Sequence, residues 1–342
     1  MQSEPVAALR FMGSEPLDSS AADAGLEVVH ETLYRYDQPV EQSQHIAFLR
    51  PCDDAVQQLL DFDLRIEPAP AQLRQERDVF GNLRSLFSLQ SPHDQLRVTA
   101  RSWVRITPPD RAWPGPDGSR GNDLDAAASR VHWRYVAGRP PDTAAAFVFA
   151  SPMVPLQAAL ADWARPSFSP GRPLAEGARE LMQRLHDEFR YEPQSTHVGT
   201  PLMEAFEQRR GVCQDFAHVM IGALRSLGLA ARYVSGYLLT EPAPGQPRLQ
   251  GADASHAWVS VALPRNGAPT DWLELDPTNA CEAGRSHVRL ALGRDYGDVT
   301  PLRGVIRGGA SHRLEVRVET RPVARSRLAQ SVLICSSERE TP

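Results

Sequence analysis

The chain has 342 residues, a formal charge of −5, and a hydrophobic fraction of 42%. That length can supply cores for two domains, and the mild acidity argues against a general binder of nucleic acid or anionic membrane. All 37 cationic side chains are arginine, so the folded chain offers no lysine amine of its own, a bias that composition explains without any function.

The four cysteines, Cys52, Cys213, Cys281 and Cys335, are dispersed, with no CxxC pair and no metal-ligand spacing. They are too sparse for a disulfide scaffold and suit a reducing compartment. Glu4, Glu15, Asp18 and Asp23 interrupt the N-terminus, which predicts no secretory signal. No run approaches the roughly 20 apolar residues of a membrane helix. The expected location is the cytoplasm, with neither membrane nor nucleic acid as partner.

Residues 1–25 are polar and aperiodic and read as a mobile leader. Residues 26–107 read as a β domain: Phe62, Leu64 and Ile66 alternate with Asp61, Asp63, Arg65 and Glu67, and Leu96–Arg101 repeats the pattern. Phe80-Gly81-Asn82 marks a turn between them, so a small antiparallel sandwich is expected. Residues 108–166 read as a Pro/Gly linker followed by a helical connection. The segment 167–322 reads as an α+β core, opening with an amphipathic helix whose stripe is Leu174, Ala178, Leu181, Leu185 and Phe189. A strand over 231–239, a loop with Pro242, Pro244 and Pro247, and strands from His256, around 271–276 and around 312–320 are expected to complete that core. Residues 323–342 read as a poorly ordered tail.

Within the core, a helix is expected to begin at Cys213. Phe216, Met220, Ala223 and Leu227 recur at near-helical spacing until Gly228 stops the run. A thiol at a helix N-terminus meets unpaired backbone N–H groups and the positive end of the macrodipole, which favour its nucleophilic thiolate form. His256 opens one alternating run and Asp276 closes another. If those runs are neighbouring antiparallel strands, the two side chains can meet beside the helix tip. The chemistry would be that of a Cys-His-Asp triad: Cys213 attacks an acyl carbon, His256 shares the thiol proton, and Asp276 fixes the imidazole. The Cys213 backbone N–H is a natural oxyanion donor, a contribution commonly worth about 3 kcal/mol.

Taken singly, each of these residues has a structural reading. A lone cysteine packs in a core, a strand-opening histidine is a buried hydrogen-bonding group, and an Asp before Pro-Thr-Asn makes an Asx turn. Asp215 and His218 read as a helix-start charge and a buried polar group. Trp258 is expected to pack on the strand face opposite His256, and Tyr233 and Tyr237 share a face as cleft wall or core. His197 is a candidate for an acyl pocket, and His186-Asp187-Glu188 is a solvated helix face rather than a metal site. Cys52 and Cys281 are read as packing residues.

The combined motifs resemble the bacterial branch of the transglutaminase-like superfamily, whose core is related to papain-like cysteine peptidases. The resemblance rests on Arg210-Gly211-Val212-Cys213-Gln214-Asp215-Phe216-Ala217-His218, Tyr233-Val234-Ser235-Gly236-Tyr237, Ser255-His256-Ala257-Trp258 and Trp272-Leu273-Glu274-Leu275-Asp276-Pro277-Thr278-Asn279. Gly293–Val299 with Pro301–Gly304 is similar to the family's closing segment, and His30–Tyr36, Asp78–Asn82 and Pro92-His93 to that branch's own N-terminal β domain. Coverage runs from about 26 to 322. The resemblance implies a papain-like core in which Cys213, His256 and Asp276 are nucleophile, base and orienting group. It implies a peptide or protein substrate, no cofactor, and hydrolysis more than cross-linking. No DxDxDG calcium loop is present in the sequence. Amine transfer to glutamine, acetyl transfer from a thioester donor, and a peptide-binding scaffold without turnover are the competing readings.

Overall fold

The computed structural model describes residues 25–107, 124–138, 142–193, 195–240, 255–265 and 268–323. The expected leader, tail, most of the Pro/Gly linker, the Pro242–Pro247 loop and Cys335 lie outside the described residues. Among the described residues, no helix is long and apolar enough to cross a membrane.

The N-terminal domain is organised by one long strand. β1 (Gly25–Ala47) is followed by β2 (Gln57–Glu67), β3 (Gln72–Arg77), β4 (Leu83–Leu89) and β5 (His93–Ile106). β1 changes partners along its length: residues 26–35 pair with β5, and residues 43–47 pair with β4. A register irregularity between Arg35 and Val40 separates the two halves, which is how a strand bends without losing its ladder. The two halves share one apolar cluster that includes Tyr36, Val40, Ile66, Phe87, Leu96 and Val98. The alternation seen in the sequence is the inward face of this folded, half-barrel sheet.

Helices α1 (Ala126–His132), α2 (Ala158–Ala164) and α3 (Leu174–Glu188) follow. The predicted stripe of α3 is buried, from Leu174 through Leu185. β6 (Arg190–Tyr191), α4 (Leu202–Gln208) and β7 (Arg210–Gly211) lead to α5 (Cys213–Ser226), the central helix. Every residue of α5 from Gln214 to Arg225 is buried, because α2, α3 and α4 cover it on one side and a sheet on the other. Its end is a Schellman motif: Gly228, at φ 75°, donates to Arg225 O, and Leu229 donates to Leu224 O.

The sheet beneath α5 contains β8 (Ala231–Leu238), β9 (Ser255–Arg265), β10 (Ala268–Asp276), β11 (Cys281–Glu282) and β12 (His287–Gly293), in the antiparallel order β11-β10-β9-β8-β12. Tyr233, Val259, Val261, Leu273 and Leu275 join the cluster with Phe216, Met220 and Leu224 of α5.

After α6 (Tyr296–Val299), the chain returns to its start. β13 (Leu302–Gly308) pairs with the second half of β1, and β14 (His312–Val323) pairs with the first half. The strand expected around 312–320 is thus present but completes the N-terminal sheet, not the α+β core. Sequence periodicity defines a strand's faces but not its partner, and β1 offered unpaired edges.

The N-terminal domain also closes the outer edge of β12. Gln57 exchanges two hydrogen bonds with the backbone of Arg289 (2.8 and 2.7 Å), and Asn82 does the same with Leu292 (2.7 and 2.8 Å). Side-chain amides replace the missing neighbour strand, which satisfies an otherwise open edge. Arg289 adds a charged tie, reaching Asp54 at 2.5 Å and Glu274 at 3.1 Å. Leu26, Val28, Val104, Tyr237 and Leu290 pack across the same junction.

Candidate active site

Cys213 is the first residue of α5, preceded by Val212 in extended backbone conformation at φ −107°. Asp215 secures this helix start: its Oδ2 accepts from the Val212 N–H at 2.8 Å and from the Thr196 hydroxyl at 2.6 Å. Burial raises the Asp215 carboxyl above its ordinary range, and these two hydrogen bonds oppose that rise. Gln214 donates to Val198 O at 3.2 Å, so the loop around 195–200 is held against the helix tip. The backbone N–H groups of Cys213 and Gln214 have no acceptor among the described residues. The Cys213 side chain is partly exposed and is a free thiol.

β9 and β10 are neighbouring antiparallel strands, as the reading of His256 and Asp276 requires. Asp276 Oδ2 lies 2.7 Å from His256 Nε2, and the Cys213 side chain is an electrostatic neighbour of the same imidazole. With Nε2 committed to the carboxylate, Nδ1 is the ring nitrogen left for the sulfur. The structure therefore brings all three candidate residues together at the start of α5, with His256 hydrogen-bonded to Asp276. Burial disfavours charge on His256, yet the Asp276 carboxylate and the Cys213 side chain outweigh it and lift the imidazole to about 10. Asp276 is fully buried, and burial alone would raise it; the charge of His256 and the hydrogen bonds from His256 and His287 instead hold it well below the carboxylate range.

Asp276 makes the contacts of both readings that its sequence context offered, a turn and a bond to His256. Oδ1 accepts from the Thr278 and Asn279 backbone N–H groups at 3.0 and 3.3 Å, making the Asx turn. Oδ2 accepts from His256, from Asn279 Nδ2 at 2.7 Å, and from His287 Nε2 at 3.1 Å. The motif around Asp276 contained Asn279, but sequence reasoning assigned it no role, and His287 was missed. The available signal for His287 was modest: like His256, it opens an alternating strand.

The remaining candidates separate clearly. Trp258 does not lie opposite His256; residues two apart in a strand share a face, and the rings are 6.0 Å apart. Trp258 is fully buried and donates from Nε1 to Glu274 at 3.0 Å. Gly236 makes room for it, since a Cβ there would sit 2.2 Å from Val288 O and 2.4 Å from the indole. Tyr233 and Tyr237 are both buried; the Tyr237 hydroxyl meets His30 Nδ1 at 2.9 Å across the domain junction. His218 is buried, accepts from the Tyr296 N–H at 3.2 Å, and is pushed down to about 4 by burial. His197 Nδ1 accepts from the Gly199 N–H within its own exposed turn.

His186, Asp187 and Glu188 point to separate partners, Thr278 O, Gln183 and Arg209, and form no metal cradle. The donor atoms of His256, Asp276 and His287 do lie within 4.8 Å of one another. Gly284 N–H donates to His287 Nδ1 at 3.2 Å, which leaves the His287 proton on Nε2, pointing at the carboxylate. That is a hydrogen-bond network rather than a set of free lone pairs facing a cation.

The other two described thiols lie in buried surroundings. Burial pushes Cys52 to about 11, and burial together with the Asp276 charge pushes Cys281 to about 12. Tyr191, half exposed, and Tyr296 are electrostatic neighbours of Cys213; burial first, then the sulfur, raises the pKa of each phenol. Two cavities, of about 810 and 610 Å³, lie on the N-terminal sheet and between its β3–β4 hairpin and the 294–303 segment, and Cys213 lines neither.

Comparison with known proteins adds to this geometry. Residues 26–105 match the bacterial transglutaminase-like N-terminal region, and residues 161–277 match the transglutaminase-like superfamily core. An uncharacterized protein of Mycobacterium tuberculosis is 41% identical over 281 residues, 82% of this chain and 86% of that protein. An uncharacterized Mycobacterium leprae protein is 30% identical over 301 residues, 86% of this chain and 97% of its own. A protein-glutamine gamma-glutamyltransferase of Pseudomonas aeruginosa is 34% identical over 127 residues, 36% of this chain and 18% of that enzyme. Among solved structures, a candidate cysteine protease of Cytophaga hutchinsonii shares the fold at TM-score 0.65 and 16% identity, covering 88% of this chain and 91% of that one. Both domains, their order and near full-length relatives agree: the chain belongs to the bacterial transglutaminase-like superfamily, with a papain-like cysteine protease fold in its core.

Proposed function

We propose that the protein is a cysteine-dependent acyl-transfer enzyme acting on peptide or isopeptide amide bonds in the cytoplasm, with water as the usual acceptor. The observation that carries this reading is the Cys213 side chain beside a His256 imidazole that is itself hydrogen-bonded to the buried Asp276. His256 Nδ1 takes the thiol proton, and the sulfur bonds to the amide carbon. The oxygen of the tetrahedral intermediate faces the Cys213 N–H, which has no acceptor among the described residues. The imidazolium returns its proton to the leaving nitrogen, the C–N bond breaks, and a thioester remains on Cys213. His256 then removes a proton from water as it attacks; the C–S bond breaks, and the proton passes to sulfur, releasing the acid. Asp276 keeps the imidazole in the required tautomer throughout.

A second reading, transfer of the acyl group to an amine, is favoured by the 34% identity to the Pseudomonas glutamyltransferase over 127 residues. Both share the thioester and differ only in the acceptor. Incubation with a peptide library, with and without added amine, separates them by mass spectrometry: chain cleavage or deamidation marks hydrolysis, and a mass gain equal to the amine less ammonia marks transfer. Products that persist in a Cys213→Ala control would sink both.

A further inference from the structure

His287 is the buried titratable group next to the candidate triad for which the steps above have no use. It comes from β12, an edge strand whose position is fixed by Gln57 and Asn82 of the other domain. The residue is 6% exposed, and its ring stands edge-on to Trp258 at 5.3 Å and lies 6.2 Å from the His256 ring. It faces the reacting sulfur through no hydrogen bond of its own. What it does touch is Asp276 Oδ2, the same oxygen that holds His256.

The tautomer of His287 follows from its two contacts. The Gly284 N–H can only donate, so Nδ1 is the acceptor, and Nε2 carries the hydrogen that points at Asp276. The titratable groups around the carboxylate are His256 from β9, His287 from β12 and Cys281 from β11, with Glu282 beside the last. Cys213 of α5 acts on it through His256. Oδ2 thus divides its basicity among His256, His287 and Asn279. A carboxylate bonded to His256 alone would bind the imidazolium more tightly. An imidazolium held too tightly is a poor general acid, because proton transfer to a leaving group weakens as the donor's affinity for its proton rises.

We propose that His287 is a positioning residue that fixes Asp276 and draws off part of its hydrogen-bonding capacity, so that the His256 imidazolium can release its proton to a leaving amine. The inference rests on the proposed acyl-transfer reading, and its tests fail separately from it.

In the His287→Leu variant, Asn279 and the two backbone donors still hold Asp276, so the orienting contacts survive while the shared oxygen turns toward His256. Alkylation by iodoacetate, an anion drawn to the imidazolium, reports that charge as an alkaline limb, read at Cys213 by mass spectrometry. The limb is expected to move upward by about half a pH unit or more in the Leu variant. Turnover of any amide identified by the library should fall about tenfold or more, with KM within about twofold, because His287 does not touch the substrate. Ester substrates with a phenolate leaving group, which needs no proton, should be affected much less. His287→Gln places an amide N–H near the same oxygen and should restore both the limb and the rate.

A purely structural role would lower the folded fraction and all rates together and leave the limb unmoved. That result, or a limb that moves downward, overturns the inference. Nitrogen NMR of labelled histidine gives an activity-independent check: a proton on Nε2 of His287 is expected, and a proton on Nδ1 contradicts it. If wild-type Cys213 shows no enhanced reactivity at all, the acyl-transfer reading fails while the NMR result still stands on its own.

Discussion

Replacing Asp276 by Asn removes a buried charge that accepts five hydrogen bonds, and the structure sets both the size and the pH dependence of the loss. Breaking a buried ion pair by removing one partner costs about 3–5 kcal/mol, and the carboxamide also turns an amino group toward existing donors. The His256 part of that loss has a definite sign. Its imidazole is raised from 6.5 to about 10 in the folded protein, so its stabilising contribution is full below about pH 6.5 and disappears as pH rises through about 10. Between those values, the folded wild-type protein holds one proton that the unfolded chain has lost. Stability should therefore fall with rising pH by up to about 1.4 kcal/mol per unit from this group. Asp276 itself has a depressed folded value, so its contribution is present above the ordinary carboxylate range and fades only in acid. Urea unfolding from about pH 6 to 10, in a Cys213→Ala background to remove thiol titration, measures this directly. The stability difference between that background and the same chain carrying Asp276→Asn should be largest near pH 6 and narrow as pH rises, closing below about 10 because the Cys213 contribution to the imidazole is absent. A difference that stays constant across that range would refute the assigned Asp276–His256 coupling.

Three further perturbations test the supports of the site. Gly236→Ala drives a Cβ into Val288 O and the Trp258 ring; it should cost about 1–3 kcal/mol by urea unfolding and reduce Cys213 alkylation in the folded fraction as the His256 neighbourhood shifts. Asn82→Ala removes both hydrogen bonds to Leu292; about 2 kcal/mol should be lost, with amide exchange accelerating along β12. Asp215→Ala removes the bonds to Val212 and Thr196; about 1–2 kcal/mol should be lost and exchange should rise in the 195–200 loop. Unchanged exchange in either case would mean that the named side chain does not hold its segment.

The parts of this molecule that were legible in the sequence are those whose signal is local. The Phe216–Met220–Ala223–Leu227 stripe and Gly228 defined α5, and alternation around His256 and Asp276 defined two strands whose antiparallel pairing follows from a short hairpin connection. The N-terminal β domain was legible for the same reason. The return of β13 and β14 to β1 was not, because pairing across more than two hundred residues leaves no periodic trace. The expected placement of Trp258 opposite His256 contradicts the two-residue repeat of a strand, so the correct face was legible without any tertiary information. His287 stayed hidden for a physical reason. Its meaning depends on a register shift in β12 against β8 and on the Gly284 turn, and both are tertiary facts. Asp276 shows the opposite case: a turn and a contact with His256 looked like alternatives in the sequence, whereas one oxygen makes the turn and the other meets the imidazole.

Whether the Cys213 sulfur and the His256 ring act as a pair decides the mechanism. Site-resolved alkylation of Cys213 by iodoacetamide across pH, in the wild-type and His256→Ala proteins, tests this most directly. A pair predicts rapid labelling of the wild type well below the value of about 8.5 for a free cysteine, and labelling of the variant only near that value. Superimposable profiles for the two proteins would contradict it.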